Sequence, residues 1–243
     1  MFGGGFNVGV NAQAKTVIYN DAIGEVVELL NTLYITDIQS ILRDIDNLIK
    51  KYQLSKTNQS GYLELREFYN KNKSAIPFYV LVCYAFNNQI RFNSKGEFNM
   101  PFGKDRSSFN PALREKFISF VTEIQRKNCK FFNKDFRELK INNLKSNDFV
   151  YCDPPYLNTT ASYNENGGWT TNDEESLRSI LVELSKLDIK FGLSNNATTN
   201  GTLLNWASKN NFYIHHLNIN YGNCNYQKKD KSASDEVYIT NVN

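Results

Sequence analysis

The amino-acid sequence predicts an α/β fold: an open sheet with flanking helices, interrupted by a long helical insert over residues 35–127. Three observations predict it. Short apolar runs of strand length recur at 17–19, 129–133, 149–152 and 190–194, each too short to be a buried helix. Between the first run and the second, apolar residues recur at helical spacing over most of residues 22–87. One strand run, Phe149-Val150-Tyr151-Cys152, stops at Asp153-Pro154-Pro155, where neither proline has an N–H to continue a ladder.

The length and composition fit this architecture. A chain of 243 residues with 41% hydrophobic and 14% aromatic residues can bury one full domain and an insert. No run of eighteen apolar residues is present, so no membrane span is expected. The four cysteines, Cys83, Cys129, Cys152 and Cys224, are far apart, and the two histidines, His215 and His216, are adjacent. That pattern argues against a zinc site, so no metal is expected, and it fits reduced thiols in a cytoplasm. The net charge of +3 decides nothing by itself, but residues 89–130 hold nine Lys/Arg against four acids.

In chain order, Phe2-Gly3-Gly4-Gly5 opens the sequence. Clustered glycines let a backbone pass close to a ligand and enter a helix tightly. The strand run at 17–19 then ends at Asn20-Asp21, and an acid about twenty residues after a Gly-rich turn is placed to bind ribose hydroxyls. Helices are expected at 22–34, at 36–52 with Thr36 as N-cap, at 55–73 and at 77–87. Residues 88–104 read as a hairpin about the turn Ser94-Lys95-Gly96. Its Asn88, Arg91, Asn93 and Asn99 suit base edges, since Asn pairs with adenine and Arg with guanine in a major groove that admits a two-stranded ribbon. Pro101, Lys104 and Arg106 follow, and a helix at 110–127 has a basic face for phosphates. After the insert come a strand at 129–133 and a buried strand at 149–152. A helix at 171–187, capped by Thr171 or Asn172, leads to a strand at 190–194. A helix at 202–209 precedes a closing antiparallel pair, 212–219 with 236–240. A loop at 156–169 is expected over the site, and Lys228 sits in a second basic loop at 221–234.

The chemistry centres on Asp153-Pro154-Pro155-Tyr156. The Asp153 carboxylate and the Pro154 carbonyl can each accept one N–H of an exocyclic NH₂, and Tyr156 can stack on the attached ring. Strand C-terminal ends are where open α/β sheets bind ligands.

On this motif, and on the Arg91-to-Gly103 series, the chain resembles the Dam-type DNA adenine-N6 methyltransferases of phages and bacteria. The resemblance covers nearly the whole chain. It implies a Rossmann-like S-adenosylmethionine-dependent methyltransferase sheet with a helical target-recognition insert, the catalytic domain being 1–34 with 128–243. It implies S-adenosyl-L-methionine as cofactor, held by Phe2, Gly3, Gly4, Gly5, Asp21, Asp135, Phe136 and Asp153, with Asp135 and Phe136 against the cofactor adenine. It implies double-stranded DNA as partner, GATC as the site, base flipping, and a cytoplasmic, nucleoid-associated location in a bacterial host or a phage-infected cell. In that family a strand ending Asp-x-Phe, and before it a segment with a Lys and a Gly, precede the Gly-rich loop. The expectation for a chain starting at Met1 is therefore truncation, with poor cofactor binding and little or no methylation. Two other readings stay open. One is a catalytically impaired DNA-binding relic, which an in-frame extension upstream of Met1 would argue against. The other is an amino-methyltransferase acting on RNA or protein, a group that more often carries Asn at the first motif position.

Overall fold

The computed structural model describes residues 1–157, 168–217 and 235–243. The expected second basic loop with Lys228, and most of the expected loop over the site, lie outside the described residues. The chain divides into two compact units, residues 3–134 and residues 1–2 with 135–243.

In the unit of residues 3–134, β1 (Val17–Asn20) pairs in parallel with β2 (Cys129–Phe132), Val17 opposite Cys129 and Asn20 opposite Phe132. Parallel neighbours require a crossover, and here it carries the helical stripes foreseen in the sequence. A short helix, α1 (Asn7–Asn11), precedes β1. The crossover consists of α2 (Gly24–Ile35), α3 (Ile38–Lys51), α4 (Gln59–Asn72), α5 (Ala75–Tyr84) and α6 (Pro111–Arg126). Three caps set its boundaries by accepting backbone N–H groups that a first turn leaves unpaired: Asp37 from Ser40, Asn58 from Gly61 and Asn110 from Leu113. Thr36 is thus not the N-cap of α3. It is the C-cap of α2, and the carboxylate one residue later is the better acceptor. The fourth helix spans 59–72 rather than 55–73, because Asn58 caps it. The fifth spans 75–84 rather than 77–87. Pro77 falls in its first turn, where no N–H is needed, and Asn87 and Asn88 take left-handed φ of 52° and 54° beyond its end. α5 is apolar on every side and lies at the centre of the core, against α2, α3 and α4.

The other unit is built on a four-stranded sheet of order β3-β4-β6-β5. β3 (Phe149–Cys152) runs parallel to β4 (Lys190–Asn196) through the crossover helix α7 (Thr171–Lys186). β6 (Glu236–Thr240) lies between β4 and β5 (Tyr213–Leu217), antiparallel to both, as the closing pair predicts. α8 (Leu203–Lys209) precedes β5. Thr170, one residue ahead of the expected caps, closes a capping box with Asp173. Leu177, Leu181 and Leu184 of α7 pack with Phe191, Leu193, Val237 and Ile239 of the sheet. One expectation fails here. β3 is not a strand buried throughout. Among the described residues it stands at the edge of this sheet, and its burial runs from Phe149, 52% exposed, to Cys152 at 0%. Its apolar run does not distinguish an edge from a centre.

Candidate active site

The motif follows from the end of β3. Cys152 pairs with Leu193 of β4, and the prolines then turn the chain out of the ladder. Pro154 is buried, and Pro155 and Tyr156 are half-buried. The Tyr156 hydroxyl donates to Glu236 Oε2 at 3.1 Å, and Asn196 Nδ2 donates to Glu236 Oε1 at 2.8 Å. Glu236 and Asn196 face each other in register across β6 and β4. Among the described residues, neither the Asp153 carboxylate nor the Pro154 carbonyl accepts a hydrogen bond. Both acceptors are unpaired among these residues. Asp153 has an accessible face, but the protein packed around it disfavours the charged form. Its carboxyl is therefore pushed above the usual range, first by desolvation and then by the Glu236 charge, with the Met1 α-amino group pulling the other way. That amino group donates to the Tyr151 carbonyl at 2.6 Å.

The same unit holds an aromatic cluster. The ring centroids of Phe2 and Phe136 are 5.2 Å apart, those of Phe2 and Trp169 5.3 Å, and those of Phe136 and Trp169 5.4 Å. A flat heterocycle is suited to such a set. The Asp135 carboxylate is occupied on both oxygens by Arg137, through Nε at 2.8 Å and Nη2 at 2.7 Å. That guanidinium holds Asp135 below the usual carboxylate range and reaches Asp173 with its third nitrogen, at 2.8 Å. The Trp169 indole N–H donates to Glu174, which is 2% exposed and also accepts from Arg178 and Asn200.

In the unit of residues 3–134, the Gly-rich turn and the strand-end acid meet directly. Asp21 Oδ2 accepts the Gly4 N–H at 2.8 Å and Oδ1 accepts the Ile23 N–H at 2.9 Å. Gly3 N–H bonds the Asn20 carbonyl, and the Tyr19 hydroxyl donates to the Gly4 carbonyl at 2.8 Å. A Cβ on Gly3 would overlap the Tyr19 ring, and Gly4 has φ +47°, so both positions require glycine. Gly5 meets nothing closer than 3.7 Å and has no such requirement.

The hairpin forms about a single antiparallel bridge, Phe92 with Phe98. Gly96 at φ +72° makes its turn, and Asn93 Oδ1 accepts from the N–H groups of Lys95 and Glu97. Arg91 lies across its base, with Nε on Asn99 Oδ1 at 2.8 Å and Nη2 on the Asn99 carbonyl at 3.0 Å. Asn88 holds the carbonyls of Val82 and Cys83 at the end of α5. Pro101, Lys104 and Arg106 are exposed. The structure thus brings Arg91 and Asn99 together, sets Asn93 at the turn of the same hairpin, and joins Gly4 to Asp21 and Phe2 to Phe136. Glu236, Asn196 and the Trp169–Glu174 pair were not foreseen in the sequence. The one available signal was an acid opening a strand, beside a partner strand that ends in two asparagines.

Among the described residues no group of three or more His, Cys, Asp or Glu could hold a metal ion, and no helix is long and apolar enough to cross a membrane.

An α/β sheet whose strand ends on an open carboxylate, a proline carbonyl and an aromatic ring has the fold and motif of an amino-methyltransferase. The family model described as D12 class N6 adenine-specific DNA methyltransferase matches residues 1–231, and the chain belongs to that family. Type II methyltransferase M.FokI of Planomicrobium okeanokoites is 41% identical over 99% of this chain, and Modification methylase StsI of Streptococcus sanguinis is 38% identical over 99%. The chain spans 38% of the length of each of these relatives. A DNA adenine methylase of Vibrio cholerae serotype O1 is 27% identical over 82% of this chain and 72% of its own length. The Dam-type resemblance carried by Asp153 to Tyr156 agrees with this family.

Proposed function

We propose that this chain transfers a methyl group from S-adenosylmethionine to the N6 amine of adenine in duplex DNA. The observation that supports this most is the pair of acceptors left unpaired among the described residues, the Asp153 carboxylate and the Pro154 carbonyl, at a strand end beside Tyr156. Two acceptors on one NH₂ fix both hydrogens, which turns the nitrogen lone pair away from them and toward the methyl donor. The Asp153 charge also favours the positive charge that develops on that nitrogen. A paired adenine cannot reach such a site, so the base flips out, at a cost of roughly a few kcal/mol. Tyr156 then stacks on it.

The residues present suit the cofactor in each unit taken by itself, and their assignment to one cofactor rests on the Dam-type resemblance. Phe136, with Phe2 and Trp169 against it, would hold an adenine ring. Asp21, fixed by Gly4 and Ile23, would accept ribose hydroxyls, and the Gly3-Gly4-Gly5 turn would let the backbone come close. Asp135 would act through its pair with Arg137. When bound, the cofactor supplies an already activated methyl group on a sulfonium.

Residues 35–127 are proposed as the target-recognition insert. Asn88, Arg91, Asn93, Asn99 and Pro101 would face the bases, and Lys104, Arg106 and Lys228 the phosphates. GATC as the target rests on the Dam-type resemblance. The experiment is transfer of tritiated methyl groups to duplexes with and without GATC. Incorporation that needs an adenine and follows one sequence supports the reading. Incorporation into DNA lacking adenine would overturn it, and incorporation tied to another sequence would replace GATC alone.

A further inference from the structure

We propose that Glu236 is a positioning residue for adenine methylation: it holds the Tyr156 hydroxyl and so sets the plane in which the tyrosine ring meets the target base. This rests on the function proposed above. Glu236 lies 80 residues from Tyr156 in sequence, yet the sheet order β3-β4-β6 brings it to the same end as the motif. It opens β6 opposite Asn196, the last residue of β4, and β4 is the direct neighbour of β3.

A carboxylate that is 6% exposed is costly unless both oxygens find donors. Here Asn196 serves one and Tyr156 the other. A purely structural partner for two donors need not be charged, because an amide or a pair of carbonyls would accept them. Glu236 instead adds a negative charge close enough to Asp153 to raise its carboxyl pKa. A like-charged neighbour is unfavourable for the fold, and such pairs gather where chemistry uses them. Among the described residues, Glu236 raises the Asp153 carboxyl and the Met1 α-amino group lowers it, and Asp153 in turn raises Tyr151 and Cys152 on β3.

The test is a double-mutant cycle on the full chain, read by single-turnover methylation of adenine, with S-adenosylmethionine affinity and melting temperature measured on every variant. Glu236→Ala should lower the rate about tenfold in the parent and less than about twofold in a Tyr156→Phe background, with cofactor affinity unchanged. Glu236→Gln keeps an acceptor and should recover most of the rate. It removes the charge, so the acidic limb of its pH–rate profile should move to lower pH. Equal losses with and without the Tyr156 hydroxyl would overturn the proposal. So would losses that simply follow the melting temperature, or full activity in Glu236→Ala. If the parent chain methylates no adenine under any condition, the proposed function falls and the role of Glu236 falls with it. That outcome is distinct from active parent protein with indifferent Glu236 variants.

Discussion

Asp153 shows how a single carboxyl takes its properties from its surroundings. Its pKa is raised by desolvation and by the Glu236 charge. The ionised form is the one that accepts the amine, so activity is expected to fall as pH drops through the raised value. The acidic limb of kcat/KM should therefore lie above the roughly 4 of a free aspartate. For folding, the sign is opposite. The native state holds this proton more tightly than the unfolded chain, so the contribution favours the fold below the ordinary pKa and is lost as pH rises through the raised one. A pH–rate profile decides the first point, and a limb at or below about 4 would contradict it. Arg91 is a second case. Its guanidinium is tied to Asn99 on two sides, so it shapes the hairpin that is proposed to read DNA. Arg91→Ala is expected to reduce discrimination between the target and one-base variants by roughly 1–3 kcal/mol. Competition binding against mismatched duplexes checks this. Uniform weakening on all sequences, with a shallower salt dependence, would mark a phosphate contact instead.

At the scale of elements, most boundaries were legible where a side chain caps a helix. Asn110 followed by Pro111 marks the start of α6 in the sequence as it does in the fold. Thr36 misled because two oxygen-bearing residues stand in a row; the cap preference favours Asp over Thr, and Asp37 is the one that caps. The status of β3 was not legible, because edge and centre differ in what lies alongside, which no local pattern records. The site divides in the same way. Asp153 to Tyr156 is contiguous and could be read directly, whereas Glu236 and Asn196 meet only through sheet order, and Trp169 meets Phe2 and Phe136 only through the fold. Packing at one helix start gives a sharp prediction. Gly61 lies in the first turn of α4, where a Cβ would overlap the backbone carbonyl oxygen of Tyr52. A backbone atom cannot swing aside, so Gly61→Ala should cost more than about 2 kcal/mol. Gly201→Ala, with nothing within 4 Å, should stay within about 0.5 kcal/mol. Denaturant melts of the two variants check this, and equal midpoints would refute the packing.

Across the whole molecule, chemistry-bearing residues concentrate at strand ends. Asp21 follows β1, Asp135 comes shortly after β2, Asp153 follows β3, and Asn196 ends β4. This is the distribution that an α/β enzyme needs, since the sheet fixes side chains that the loops could not. Helices fill the crossover between β1 and β2 and carry the hairpin with its excess of Lys and Arg. Strand-end chemistry and a basic, amide-rich insert together support a protein that handles a base within DNA. The most direct measurement of that claim is the identity of the product. DNA would be incubated with S-adenosylmethionine and excess protein, digested to nucleosides and analysed by mass spectrometry. N6-methyladenine is expected with the parent chain, in place of the little or no methylation that the resemblance implied for a chain starting at Met1. With Asp153→Ala it should fall by at least on the order of 10²-fold while DNA binding persists. A methyl group on cytosine, or undiminished N6-methyladenine in Asp153→Ala, would contradict the account.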